Sequence, residues 1–280
     1  MSELEALLLG IVQGLTEFLP ISSSGHLILV PWLQDYTFLE QHPEFNKTFD
    51  VSLHVGTLVG VVSYFHRELR VMTVGFFRTV RNRAIGVGEE RIAWVIIVGT
   101  VPAVIVGGLG KDWIDRNLGE PWMIAILLIV FGLILWHADR RPQEKALPRV
   151  RLRYGLYIGI AQALALAPGV SRSGVTISMA RYLKLDRDTA ARISFLLLVP
   201  VTAGAAVFSG AEAAAEGLPP DVGGPMIVGT IAAAISGYAA IAWLLALVRR
   251  HSYDGFVVYR ILAGLFVLVL IATGVREATF

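Results

Sequence analysis

No cysteine occurs in the chain, which excludes disulfide staples, a thiolate nucleophile and cysteine-held metals. Charge is scarce as well. Asp, Glu, Lys and Arg make up 16% of the 280 residues and apolar types 55%, against about 25% and about 45 to 50% in a typical soluble domain. A water-soluble fold of this length would be starved of surface charge. A formal net charge of +2 gives no argument for a nucleic-acid partner. A basic secretory leader is missing too: Met1-Ser-Glu-Leu-Glu5 is acidic and no small-residue cleavage site follows Leu7 to Leu9, so we expect the N terminus to be retained.

What the chain has instead is long apolar runs, such as Ile124 to Trp136 and Val257 to Thr273. They approach the roughly 20 residues that cross a bilayer core about 30 Å thick. Two segments between such runs are strongly basic, His66 to Arg91 and Ala138 to Arg153, and by the positive-inside rule both face the cytoplasm. They enclose an out-and-back pair of spans, about Ile92 to Leu109 and about Trp122 to Trp136, whose outer loop Lys111 to Pro121 carries Trp113 as an interfacial anchor, with Trp122 just beyond it. Upstream, the acidic Asp35 to Lys47 precedes an inward span, Asp50 to Phe65. Downstream, basic Arg181 to Arg192, acidic Ala211 to Asp221 and basic Arg249-Arg250 alternate as three more spans require, about Ile193 to Phe208, Met226 to Leu247 and Phe256 to Thr273.

Two apolar segments fall outside this count because polar residues interrupt them. Leu4 to Leu19 meets Pro20-Ile-Ser-Ser-Ser-Gly-His26 before Leu27 to Leu33; Tyr154 to Ala167 meets Pro168-Gly-Val-Ser-Arg-Ser-Gly174 before Val175 to Ala180. Such breaks are tolerated at membrane depth only where protein or water surrounds them, so both read as re-entrant hairpins. They also align with each other: Gly10-Ile-Val-Gln-Gly-Leu15 over Gly159-Ile-Ala-Gln-Ala-Leu164, and Ile21-Ser-Ser-Ser-Gly25 over Val170-Ser-Arg-Ser-Gly174. An internal repeat explains this economically. The expected fold is an all-α integral membrane protein, one membrane domain over 1–280, with about six transmembrane helices and two re-entrant helical hairpins. Its halves, about 1–140 and about 150–280, each hold one hairpin and three spans. Three is odd, so the second half enters from the opposite side, an inverted-topology repeat of the kind that builds a polar site inside lipid.

The chemistry-bearing residues gather at the two breaks. Gln13 and Glu17 lie at i and i+4 on one helix face, and a carboxylate at that depth needs a partner. Arg172, at the equivalent break, is the obvious one, and its planar fork also suits phosphate. Ser171, Ser173, Gly174 and Thr176 supply hydroxyls and open amides where a helix restarts, a geometry suited to anions. Ser22, Ser23, Ser24 and Gly25 do the same at the first break, although any one serine is as readily a helix cap. His26 has the chemistry of a nucleophile or a general acid and base. Asp50 and His54 repeat the i, i+4 spacing and are secondary candidates, Asp50 reading first as a helix cap.

The two stretches Gln13-Gly-Leu-Thr-Glu17-Phe-Leu-Pro-Ile-Ser-Ser-Ser-Gly-His26 and Pro168-Gly-Val-Ser-Arg-Ser-Gly-Val-Thr176 are similar to the two signatures of the undecaprenyl-diphosphate phosphatase, or bacitracin-resistance, family. The resemblance implies a bacterial inner-membrane enzyme that hydrolyses undecaprenyl diphosphate to the monophosphate and inorganic phosphate at an extracytoplasmic site. That activity recycles the carrier for peptidoglycan synthesis and confers bacitracin resistance. It further implies a divalent cation, Mg²⁺ or Ca²⁺, held by Glu17 with Gln13, and catalytic roles for Glu17, Ser23, His26 and Arg172. Ser22, Ser24, Gly25, Ser171, Ser173, Gly174 and Thr176 are expected at the substrate. Ser23, His26 or an activated water is the nucleophile; the residues alone leave all three open. Beyond the lipid substrate and surrounding membrane lipids, a homodimer is compatible with the sequence.

Two other readings compete. The inverted repeat alone also suits a flippase or carrier for polyprenyl phosphate. Ser24-Gly-His26 and Ser171-Arg172 echo the phosphatidic-acid-phosphatase type of lipid phosphatase, but its upstream Lys and Arg-Pro motif and its late His-x-x-x-Asp are missing in the required order: Pro142 follows Arg141 after Ser24-Gly-His26, and His251 and Asp254 are misspaced.

Overall fold

In the first helix, Ser2 accepts from the Glu5 amide while the Glu5 carboxylate accepts from the Ser2 amide, a capping box that satisfies two donors a helix start leaves bare. The computed structural model describes residues 1–34, 36, 42–86, 88–216 and 222–279. Over these the chain is helical: α1 Glu3–Phe18, α2 Ser23–Gln34, α3 Pro43–Tyr64, α4 His66–Asn82, α5 Glu89–Asn117, α6 Pro121–Asp139, α7 Leu152–Ala163, α8 Arg172–Tyr182, α9 Arg187–Glu216, α10 Gly223–Val248 and α11 Asp254–Ala272. Among the described residues the one β contact is an isolated bridge, Lys145 to Leu185. Helices α5, α6, α9, α10 and α11 are long and apolar enough to cross a membrane, and the pair α3 and α4, bent by 83°, makes a sixth if counted as one span. Leucine, isoleucine and valine exposed along these helices, Leu262 and Ile235 for example, have lipid rather than water as their natural solvent.

The expected spans coincide with α3, α5, α6, α9, α10 and α11, with differences at their ends. Backbone pairing carries α5 through the expected loop to Asn117 and stops near Gly119, whose φ of +133° ends the helix before Pro121 restarts it. Helix α9 likewise continues through Glu216, and residues 217–221 of the expected acidic loop lie outside the described residues, as do 35 and 37–41 of the earlier one. Helix α3 begins at Pro43, so Asp50 sits inside it and is not its cap. The expected basic loop from His66 is mostly the helix α4, because Met72, Gly75 and Thr79 recur on one face and bury against the protein.

Both apolar segments with polar interruptions are broken helices. Helix α1 ends at Phe18 and α2 starts at Ser23; α7 ends at Ala163, a 3₁₀ turn follows over Leu164–Leu166, and α8 starts at Arg172. Ser22 and Ser171, matched in the sequence alignment, both adopt positive φ, +78° and +74°, and both caps close in the same way. The Ser22 hydroxyl accepts from the Gly25 amide and the Ser171 hydroxyl from the Gly174 amide.

Packing crosses between the halves. Helix α1 lies against α10, and α7 against α5. Each pair meets glycine on glycine: a Cβ on Gly10 would sit 2.3 Å from the Gly229 carbonyl oxygen, and one on Gly159 2.4 Å from that of Gly99. Small residues of this kind let backbones approach where no hydrophobic effect drives helices together. The basic segments gather at one end of the molecule, joined by Arg192 to Glu68 at 3.6 Å, Arg249 to Asp188 at 2.9 Å, Lys184 to Glu144 at 2.9 Å and Arg140 to Asp254 at 3.3 Å. There the buried Asp139 accepts from Arg187 and Arg181 and from the Tyr253 amide, fastening the ends of α6, α8, α9 and α11.

Gly159→Val forces a side chain against the Gly99 backbone and should destabilise the protein by about 3 kcal/mol, the upper end for overpacking. Gly108→Ala meets open space and should leave the thermal unfolding midpoint in detergent within a degree or two of wild type.

Candidate active site

Helix α1 carries Gln13 and Glu17 inward on the same face, and the break after Phe18 turns the chain so that Ser23, at the start of α2, comes back against Glu17. The Ser23 hydroxyl donates to Glu17 Oε2 at 2.6 Å, and Gln13 Nε2 donates to the same oxygen at 3.1 Å. From the other hairpin, Arg172 donates through Nη2 and Nε to Glu17 Oε1 at 3.3 and 3.4 Å and through Nη1 to the Ser194 carbonyl at 2.6 Å. Glu17 is 5% exposed. An ionised carboxylate that deep is tolerable only with such a partner, and the two hairpins are thereby tied through opposite charges.

His54 approaches from α3. Its Nδ1 lies 2.8 Å from the Asp50 carbonyl and must carry a hydrogen to bond it, which leaves Nε2 facing Glu17 Oε2 at 3.7 Å. Glu17, Ser23, Asp50, His54 and Arg172 line one cavity of about 320 Å³, with Ser24, Ser171 and Gln162 on its wall and Ala103, Leu166 and Ala205 on its apolar side. The volume is at the small end of ligand pockets. The cavity lies toward the N-terminal part of α3 and the C-terminal halves of α7 and α9, away from the end where the basic segments meet.

The structure divides the expected site residues in two. Glu17, Ser23, Ser24, Ser171 and Arg172 reach the cavity, as do the two secondary candidates Asp50 and His54. Ser22, Gly25, Ser173, Gly174 and Thr176 hold the hairpin tips, and Gln13 is buried against Glu17 without lining the cavity. Ser22 Oγ accepts from the Gly169 amide at 3.0 Å, Ser173 Oγ donates to the Leu19 carbonyl at 2.9 Å, and Thr176 donates to Ser194 Oγ at 2.7 Å. Gly25 and Gly174 are close-approach points, where a Cβ would press on Ile124 at 3.1 Å and on Arg260 at 2.9 Å. His26 is placed differently from its expected role at the reacting centre. Its Nδ1 bonds the Ser22 carbonyl at 2.7 Å, and its Nε2 accepts from the Tyr259 hydroxyl at 2.6 Å. Both nitrogens are engaged, and the ring lines a separate, largely apolar cavity of about 840 Å³ beside Trp243 and Phe256. Ser23 is drawn back onto Glu17, whereas the His26 ring is held by the Ser22 carbonyl and the Tyr259 hydroxyl of the last span.

Sequence reading passed over Arg260, a guanidinium inside the last span and fully buried. It donates to carbonyls on both hairpin tips, Pro20 at 3.1 Å, Gly169 at 2.8 Å and Val170 at 3.1 Å, and to Leu128 at 2.9 Å and Leu127 at 3.3 Å. A lone cation in an apolar run was the available signal.

Oxygen donors lining the cavity are the Glu17 and Asp50 carboxylates and Ser23 Oγ; behind Glu17, the amide oxygen of Gln13 is buried without a hydrogen-bond partner. No group of three or more His, Cys, Asp or Glu stands together among the described residues. A hard cation that takes one or two carboxylates and fills its remaining positions with water and phosphate oxygens fits such a set.

Fold and cavity together define a helical membrane protein with an acid, a hydroxyl and a guanidinium converging between two broken helices. The chain belongs to the family described as Bacitracin resistance protein BacA, which it matches over residues 6–266. It is similar to proteins named undecaprenyl-diphosphatase: 47% identical over 266 residues to one from Geobacter sulfurreducens, covering 94% of this chain and 96% of the relative. Another, from Geobacter metallireducens, is 44% identical over 273 residues, with 97% and 99% covered. A third, from Nocardioides sp., is 43% identical over 281 residues, with 98% of each covered.

Arg260→Met would leave the tip carbonyls of Pro20, Gly169 and Val170 without this donor. The expected loss is about 3 kcal/mol or more, since each buried group left unpaired costs about 1 to 3 kcal/mol, read as a lower unfolding midpoint and a smaller folded fraction in size-exclusion chromatography.

Proposed function

We propose that this protein hydrolyses undecaprenyl diphosphate to undecaprenyl phosphate and inorganic phosphate from within the bacterial inner membrane. The observation that carries the reading is the Ser23 hydroxyl hydrogen-bonded at 2.6 Å to a carboxylate that Arg172 holds from the opposite hairpin. A nucleophile on its base, the base itself oriented by a third group, is the pattern of covalent catalysis. The names of the relatives support the same substrate. The paired hairpins are all that speaks for a flippase or carrier.

In this scheme Ser23 Oγ attacks the terminal phosphorus while its proton passes to Glu17, with His54 Nε2 beside Glu17 to receive it. The bond from that phosphorus to the bridging oxygen breaks, and its electron pair leaves with undecaprenyl phosphate. With the first proton passed on to His54, water attacks the phosphoserine and gives its proton to Glu17; the phosphorus–Oγ bond breaks, Ser23 Oγ takes back a proton from Glu17, and inorganic phosphate departs. Arg172 keeps Glu17 ionised and adds positive charge at the cavity wall, where phosphate oxygens gain charge in the transition state. Glu17 and Gln13 would hold a Mg²⁺ or Ca²⁺ ion, which supplies further charge neutralisation at the diphosphate. His26 acts on the first hairpin through Ser22, with no direct part in the chemistry.

The cavity's distance from the basic end supports an extracytoplasmic active site under the positive-inside rule. The crossed packing of α1 on α10 and α7 on α5 supports an inverted repeat, each hairpin lying on the second span of the other half. Such an arrangement brings two half-membrane breaks together at mid-depth.

Phosphate release from undecaprenyl diphosphate with added Mg²⁺ tests the scheme. Glu17→Gln and Ser23→Ala should each lower kcat by about 10² to 10⁴-fold, and a chelator should silence the wild type. His54→Gln should lower kcat more than His26→Gln. Wild-type turnover by Ser23→Ala would remove serine from the reaction and leave activated water in its place.

A further inference from the structure

The 83° bend between α3 and α4 lays α4 across the basic end of the bundle instead of continuing it. Its inner face is buried through Met72, Gly75 and Thr79. The outer face is unusual in composition: Arg67, Arg70 and Arg78 alternate with Val71 and Val74 along one side, and these five with Gly75 and Glu90 line a groove of about 570 Å³ against the start of α5. Val71 and Val74 are each 52% exposed, and Phe77 beside them 65%.

Charge in this groove is unbalanced. Glu90 is its one acid and pairs with Arg78 at 3.3 Å; Glu68, next to Arg67 in sequence, turns to Arg192 on α9. Arg67 and Arg70 have neither a hydrogen bond nor an ion pair among the described residues. Two guanidiniums without counter-charge, on a helix lying across the end of a membrane bundle, call for an anion. The valines between them distinguish the anion's source, since a free inorganic ion has no use for an apolar floor, whereas a phospholipid brings a phosphate and acyl chains on one molecule.

We propose that the groove between α4 and α5 is a binding site for an anionic glycerophospholipid. Arg67 and Arg70 grip its headgroup phosphate, Arg78 stays with Glu90 at the far end, and the acyl chains run over Val71, Val74 and Phe77. The site is separate from the cavity around Glu17 and is independent of the activity assigned to that cavity.

Native mass spectrometry of the full-length protein in neutral detergent, titrated with phosphatidylglycerol or phosphatidylcholine, tests this. Wild type should retain phosphatidylglycerol preferentially. Arg67→Gln/Arg70→Gln should lose that preference by about 25-fold, about fivefold for each arginine near an anionic headgroup, while Arg67→Lys/Arg70→Lys keeps most of it. Val74→Asn should weaken retention of phosphatidylglycerol, and inorganic phosphate should not displace it. Equal retention of the two lipids by wild type, or an unchanged preference in the Gln/Gln variant, overturns the proposal. Displacement by inorganic phosphate also overturns it, identifying a free-anion site. Should the Gln/Gln variant elute as aggregate, the single variants Arg67→Gln and Arg70→Gln decide, each with a fivefold loss expected.

Discussion

A helix that stops halfway through a bilayer exposes amides and carbonyls where no water can pair them, and this structure is organised around supplying those partners. Pro20, Gly169 and Val170 present carbonyls at the two hairpin tips, and Arg260 from the last span takes all three. Ser22 accepts the Gly169 amide across the gap and Ser173 caps the Leu19 carbonyl. Remove this pairing and each break carries a cost of several kcal/mol in hydrocarbon. With it, the two tips become one rigid object, and the strained φ of Ser22 and Ser171 is held by neighbours on every side.

Rigidity at the tips is what gives the polar residues a defined geometry. Glu17 lies at the end of α1 and Arg172 at the start of α8, on separate hairpins far apart in sequence, yet they meet at 3.3 Å. Neither would be stable at that depth alone. The ion pair and the backbone pairing therefore support each other: charge draws the hairpins together, and the bonds from Arg260, Ser22 and Ser173 fix the register in which Ser23 reaches Glu17. Crossed packing through Gly10 on Gly229 and Gly159 on Gly99 extends the same alignment along the length of both hairpins.

A division of labour follows among residues of one chemical type. Of the three adjacent serines, Ser22 serves the backbone, Ser23 serves the carboxylate, and Ser24 only lines the cavity. Of the two histidines near the first half's polar residues, His26 is saturated by a carbonyl and a tyrosine hydroxyl, while His54 presents a free nitrogen to Glu17. Sequence proximity favoured His26, which follows the serine run after Gly25. Its ring is claimed by Tyr259 from the last span, a contact that spacing along α2 cannot reveal.

Much of the architecture was legible before any coordinates. Apolar runs and the alternation of loop charge located the five long apolar helices and the bent pair that makes a sixth span, the polar interruptions located both broken helices, and the matched motifs pointed to a relation between them. Glu17 and Arg172 were identifiable as partners because a charge at membrane depth demands one. Less legible was anything that depends on which way a side chain points. That α4 would be a helix lying across the bundle, that Asp50 would sit inside α3, and that Arg260 would bridge both tips are consequences of contacts between distant segments. Composition and periodicity decide that a segment is buried and whether it can cross lipid, because transfer free energies act residue by residue. Tertiary structure alone decided which hydroxyl, imidazole or guanidinium meets Glu17, because hydrogen bonds are short and directional, and a rotation of one residue along a helix removes them.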